Sequence, residues 1–240
     1  MNIDMTHSFK SELKVARDAN RTPLTKREYA IEAIRSAIHT GYFLPGQVVS
    51  QRQLADDLGL SLTPLREALI QLGATGLIER HNHHSIKIRE VDQEYLVQIY
   101  QVRMLLELEV VRLAVRHVTG STLSTLKQIN DQLRSLIGSR EVDRIEALDR
   151  QFHEVFFAAS GNQPLLAAIQ FAKNSFPLYA LWSKQGRLEL SVAEHDTLID
   201  ALEAGDLHAA VRNHEAHLNS GLKAALSQVT QPGFQVRQTA

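Results

Sequence analysis

From Val91 to about Val229, apolar residues return every three or four positions, and no alternating run interrupts them. A strand alternates with a period of two, so this 3.6-residue rhythm restricts more than half of the chain to helices. Short breaks at "TGST", "GSRE", "SGNQP", "KQGR" and "AGD" divide the stretch. The helices expected between them lie near 92–118, 121–138, 141–160, 162–184, 187–204 and 206–229, which together make an all-α bundle.

The preceding residues read differently. From Lys26, the positions of Ala30, Ile31, Ile34, Ala37 and Ile38 predict a helix that stops at "TGYFLPG". Ser50 can cap a second, short helix that runs to Leu58 and ends at Gly59. Ser61 can cap a third, in which Pro64 is tolerated because first-turn backbone donors have no intrahelical partner. Leu65, Ala68, Leu69 and Leu72 are its buried stripe. Beyond Gly76, "LIER" and "SIKIRE" flank "HNHH" and read as a hairpin. Three helices and a hairpin in so short a span follow the winged helix-turn-helix plan. The fold expected is therefore mainly α. A polar tail (residues 1–22) precedes a winged helix-turn-helix domain (23–90), and an all-α bundle of about six helices (91–230) follows.

Composition narrows the chemistry. The chain has 240 residues and no cysteine, which excludes disulfides, thiolate metal sites and cysteine nucleophiles. Residues 1–90 carry 12 basic against 10 acidic side chains, and residues 91–240 carry 14 against 17. The front half is thus the more basic, as a nucleic-acid reader would be, although the difference is small. No apolar leader segment and no run of eighteen apolar residues occurs, so a soluble cytoplasmic protein is expected, with no membrane partner.

The stretch "AIRSAIHTGYFLPGQVVSQRQLADDLGLSLTPLREALIQLGATGLIER" resembles the reader of the GntR family of bacterial transcriptional regulators. The residues that carry the resemblance include Gly41, Pro45, Gly46, Leu54, Leu58, Gly59, Ser61, Thr63, Pro64, Arg66, Glu67, Leu69 and Gly76. The resemblance implies that the third helix enters the major groove by its N-terminal end. There Ser61 and Thr63 suit phosphate contacts, and Arg66 suits a bidentate contact with guanine. Arg52 is the second arginine that the family pattern puts on DNA, and His83 belongs to a wing loop that reaches the minor groove or a phosphate. Three positions depart from the pattern: Leu62 where arginine is usual, Gln51 where glutamate is usual, and "HNHH" where the wing tip usually has glycine. An operator different from that of better-known relatives is expected.

In the back half, "ALDRQFHEVFFAASGN" puts Asp149 and His153 one turn apart on one helix face. His195 and His217 follow on two further helices. One carboxylate and three imidazoles suit a divalent ion such as Zn2+ or Ni2+. His214, three residues before His217, is the reserve for the last ligand.

This layout resembles the FCD effector domain of the FadR subfamily, in its metal-binding, VanR-like form, over residues 92–228. The resemblance implies that Asp149, His153, His195 and His217 are the ligands, and that Arg103 points into a central cavity to pair with an effector carboxylate. Glu107, one turn on, can anchor that arginine. On the helix after "SGNQP", Asn174 and Tyr179 can line the same cavity, although an aromatic at helical spacing is more often core. The function expected is a homodimeric regulator on a palindromic operator, with operator affinity set by a small organic acid bound at the metal. Two alternatives remain open at this point: the ion is itself the effector, or the site is a metal-dependent hydrolase. No general base stands in a motif-like context, so no enzyme is expected.

Overall fold

A computed structural model describes residues 24–39, 42–90, 92–139, 141–175 and 186–229. They divide after Glu90 into two compact units.

The first unit begins with α1 (Lys26–His39). A reciprocal cap starts it: the Glu28 backbone N–H donates to Thr25 Oγ1, while the Thr25 N–H donates to Glu28 Oε2. β1 (Val48–Ser50), α2 (Gln51–Leu58), α3 (Leu62–Ala74), β2 (Ile78–Arg80) and β3 (Ser85–Ile88) follow. The connection into β1 is a type II turn over Leu44–Pro45–Gly46–Gln47. Its Gln47 N–H donates to Leu44 O at 3.0 Å, and Gly46 has the positive φ of 80° that this turn requires at its third position.

The sheet is antiparallel in the order β1-β3-β2. Val49 lies opposite Ile86, and Arg80 pairs with Ile86 from the other side. The sequence pattern predicts only the β2–β3 hairpin. β1 is three residues long, too short for alternation to register, and is fixed by pairing with β3. Ile34, Ile38, Leu54, Leu65, Leu72 and Ile88 fill the core beneath.

The second unit is helical throughout its described residues. α4 (Gln93–Ala114) continues into one 3-10 turn, Val115–His117. α5 (Gly120–Ser135), α6 (Val142–Ala158), α7 (Gln163–Asn174), α8 (Arg187–Glu203) and α9 (Leu207–Val229) complete it. Asp92, Thr119 and Asn162 cap α4, α5 and α7 by accepting from the backbone N–H groups of Tyr95, Thr122 and Leu165, each three residues on. α7 ends at Asn174, and the remainder of the helix expected to 184 lies outside the described residues, as do Tyr179 and the N-terminal tail.

α9 runs along α4 and α8, α5 packs on α6 and α8, and α7 lies against α4. Gly221 permits the α4–α9 approach, because a Cβ there would stand 3.1 Å from the Tyr100 hydroxyl. Leu126, Leu133, Phe152 and Phe156 are fully buried at the centre, each contributing on the order of 1.5–3 kcal/mol through removal from water. Among the described residues, no helix is long and apolar enough to cross a membrane.

Candidate metal centre and nucleic-acid interface

Helical spacing brings Asp149 and His153 together on α6, and α8 and α9 add His195 and His217 to them. One ligand atom from each of the four residues lies within 4.8 Å of all the others. His195 Nε2 is 3.6 Å and His153 Nε2 3.9 Å from Asp149 Oδ1. Two ligands that each bind an ion at about 2.1 Å stand roughly 3.4 Å apart in a tetrahedral site and at most roughly 4.2 Å apart, so the set must draw in around an ion, its widest pair by roughly 0.6 Å or more.

The hydrogen bonds around the cluster fix its tautomers. Asn130 Nδ2 donates to Val192 O and Asp196 Oδ1, which turns Asn130 Oδ1 toward His195 Nδ1 at 3.1 Å. His195 must therefore carry its proton on Nδ1 and present a lone pair at Nε2, a buried atom without a protein partner. His217 Nδ1 donates to Glu194 Oε2 at 2.8 Å, which leaves Nε2 for the cluster. Glu194 is itself held by Arg187 at 3.1 Å and by the Ser220 hydroxyl. Such outer partners orient ligating histidines in known metal sites.

Burial, reinforced by the positive charge of Lys173, pushes the His153 pKa well below its ordinary value. Burial, together with His217 and Arg187, does the same for His195. Both rings are therefore neutral at ordinary pH, the form that binds a metal. The donor set contains nitrogen and oxygen atoms only, which fits Zn2+ or another borderline divalent ion.

His214 stands apart from the four. Its Nε2 donates to Glu107 Oε2 at 3.0 Å, and Glu107 Oε1 accepts from Arg103 Nε at 2.7 Å. Burial alone would raise the Glu107 pKa, but the Arg103 guanidinium outweighs it and holds the carboxyl well below the usual range. Arg103 also lies over the Tyr100 ring, 4.6 Å from its centroid.

Next to the cluster is a cavity of about 160 Å3, lined by His153, Glu154, Phe157, Leu166, Ile169, Gln170 and Lys173. Pockets for drug-sized ligands run to about 300 Å3 and more, so this one suits a small molecule. Asn174 is half-buried, accepts from Gln170 Nε2 and is not part of this lining. Sequence reasoning missed Lys173 and Gln170. The signal available was their place on the Leu166–Ile169 face of α7, which in sequence looks like a core stripe ending in a solvated lysine.

In the first unit, Arg52, Ser61, Thr63, Arg66 and His83 are all exposed. Ser61 occupies the N-cap position of α3, yet its hydroxyl makes no cap hydrogen bond, so the first-turn backbone donors have no side-chain cap from it. Gln51 joins α3 to the wing. It accepts from Arg66 Nε at 3.4 Å, donates through its amide to His83 O at 3.5 Å, and through its backbone N–H to His84 O at 2.9 Å. Because Gln51 is neutral, its bond to Arg66 leaves the guanidinium charge uncompensated. His83 Nδ1 accepts from Arg80 at 3.0 Å, which leaves an Nε2–H donor at the wing tip.

A winged helix-turn-helix unit followed by a helical unit with a buried polar centre defines a class: a DNA-binding regulator with a second, helical domain. Comparison with known proteins makes the assignment specific. Residues 26–88 match the bacterial regulatory proteins of the gntR family, and residues 98–220 match the FCD domain. The chain belongs to the GntR family of transcriptional regulators and carries an FCD domain.

Among its relatives is the "Probable D-xylose utilization operon transcriptional repressor" of Paenarthrobacter nicotinovorans. It is 30% identical over 230 residues, which cover 87% of this chain and 98% of that protein. McbR of Escherichia coli K12, an HTH-type transcriptional regulator, is 27% identical over 64% of this chain and 65% of its own. The solved structure of E. coli McbR/YncC has the same fold, with a TM-score of 0.76 at 22% identity over 86% of this chain and 99% of that one.

Proposed function

We propose that this regulator senses a small organic acid at a divalent metal held by Asp149, His153, His195 and His217, and that the acid alters its affinity for operator DNA. The observation that carries the proposal is the buried cluster itself: four ligand atoms within 4.8 Å of one another, with the rings of His195 and His217 fixed from outside by Asn130 and Glu194. An apolar core would accept leucines at these positions; three imidazoles and a carboxylate converging there need a shared partner. When bound, the ion supplies positive charge and coordination positions for a carboxylate in a small, largely apolar cavity. Zinc fits the donor set, and nickel is the nearest alternative.

Arg103 supplies a buried guanidinium oriented by Glu107, suited to a bidentate contact with an acid. Arg52, Ser61, Thr63, Arg66 and His83 are the proposed DNA contacts. A homodimer fits a palindromic operator, since two readers then meet two half-sites, and the strongly exposed Leu105 and Val102 on α4 offer an apolar face for the second copy. The domains proposed are a reader over 23–90 and a sensor over 91–230, behind an N-terminal tail, in a cytoplasmic protein.

Thermal melting of the purified protein against small organic acids, before and after chelation, tests this. An acid present at about 100 times its dissociation constant adds ~2.7 kcal/mol to the loaded protein. The expected outcome is a higher melting temperature with acid only when the metal is present. Operator affinity that tracks free metal with no acid added would make the ion itself the signal. Metal-dependent turnover of a hydrolase substrate, lost in His153→Ala, would make the site catalytic instead.

A further inference from the structure

We propose that Lys173 is the anchor for a second acidic group on the effector, so that the molecule this site takes is a small dicarboxylate rather than a monocarboxylate. The inference rests on the acid-sensing function proposed above and specifies the ligand class within it.

Three buried cations surround the cluster, and two of them are already neutralised. Arg103 is paired with Glu107 at 2.7 Å, and Arg187 with Glu194 at 3.1 Å. Lys173 is 9% exposed and forms no ion pair among the described residues. A lysine is almost never buried to this degree without a partner, because an uncompensated ammonium in a poorly solvated place is costly. A ligand that supplies the missing anion accounts for it.

Position supports the same conclusion. Lys173 lines the cavity that His153, a member of the metal cluster, also lines. Phe157, Leu166 and Ile169 form apolar wall in the same cavity. The α7 face from Leu166 to Lys173 is about 10 Å long at 1.5 Å per residue, room for a short carbon chain. Metal and Lys173 thus offer two separate sites for acidic groups, with surface between them that suits methylenes.

The number of acidic groups follows from the two binding points. Glu154 shares the cavity wall but is exposed and forms no ion pair with Lys173. An acid held at the metal by one carboxylate leaves the Lys173 ammonium without a partner at ion-pair distance, whereas a second carboxylate on the same molecule supplies one where screening is weak.

Titration calorimetry of the full-length, metal-loaded protein tests the assignment with matched acids: malonate, succinate and glutarate against propionate, butyrate and valerate. At least one diacid is expected to bind tenfold or more tightly than its monoacid. Lys173→Met should abolish that gap by weakening the diacid to the level of the monoacid, and Lys173→Arg should preserve it. Acids that bind only to the loaded protein, but with no gap in any pair, overturn the role of Lys173 while leaving acid sensing intact. Equal weakening of both acids by Lys173→Met overturns it as well. If no acid binds, this inference and the sensing function fall together. Lys173→Met without ligand should melt at or above the wild-type temperature; a lower value means that the ammonium already has its partner in the fold, which also overturns the assignment.

Discussion

His195 is held on two sides. Its ring is stacked on Phe152, with centroids 3.8 Å apart and planes 9° from parallel, and its Nδ1–H is tied to Asn130. The stack sets the plane and the hydrogen bond sets the rotation, so Nε2 has one direction to point. Replacing Asn130 by alanine removes the rotation lock without touching a ligand. Metal affinity should fall about 10–100-fold, measured by competition with a chromophoric chelator, with the helical circular dichroism unchanged. Glu107→Gln should be harsher, because it leaves the Arg103 guanidinium buried without a counter-charge. A loss of roughly 3–5 kcal/mol is expected in denaturant unfolding. At this scale the sequence was partly legible. Asp149 and His153 share a face because a helix repeats every 3.6 residues, and that can be read directly. That His195 and His217 converge on them depends on how α8 and α9 pack, which spacing does not encode; the family resemblance supplied it. Lys173 was not legible at all, because the end of an apolar stripe is where a surface lysine also belongs.

Among the elements, turns and caps were easiest to read where one residue type is nearly obligatory. Gly46 is such a place. Its φ of 80° suits glycine, and a Cβ would stand 2.8 Å from Glu90 Oε1. Gly46→Ala should cost the first unit about 1–2 kcal/mol, seen as an earlier melting transition, with the exposed Glu90 side chain swinging aside at the expense of its ion pair with Lys87. β1 was illegible for the opposite reason: Val48–Ser50 becomes a strand only through its neighbour β3. Ser61 shows a finer gap between position and role. It stands where a cap belongs, but its hydroxyl is left unused by the helix. For α3, Arg66→Ala should weaken operator binding by about 1–3 kcal/mol and relax preference at one base pair. Titrations with operator and with scrambled DNA distinguish that from a general loss of phosphate contact, which would weaken both alike.

For the whole molecule, the proposed function joins two units by thermodynamic linkage. If an acid changes operator affinity by some factor, operator must change acid affinity by the same factor. Acid titrations with and without saturating operator should therefore return that factor, and unequal factors would mean that acid and DNA are not linked through a common pair of states. A division into two units near residue 90 was legible because the hydrophobic pattern changes character there. The FCD and GntR matches then fixed the family.

One link in the reader has a consequence for how such a regulator can diversify. Gln51 ties Arg66 on α3 to the backbone of the wing at His83 and His84. Groove positions met by the helix and by the wing are therefore not independent letters of the operator. A drifting promoter that alters one would be followed most easily by a compensating change at the other, and paired base substitutions should depart from additivity where single ones suggest none.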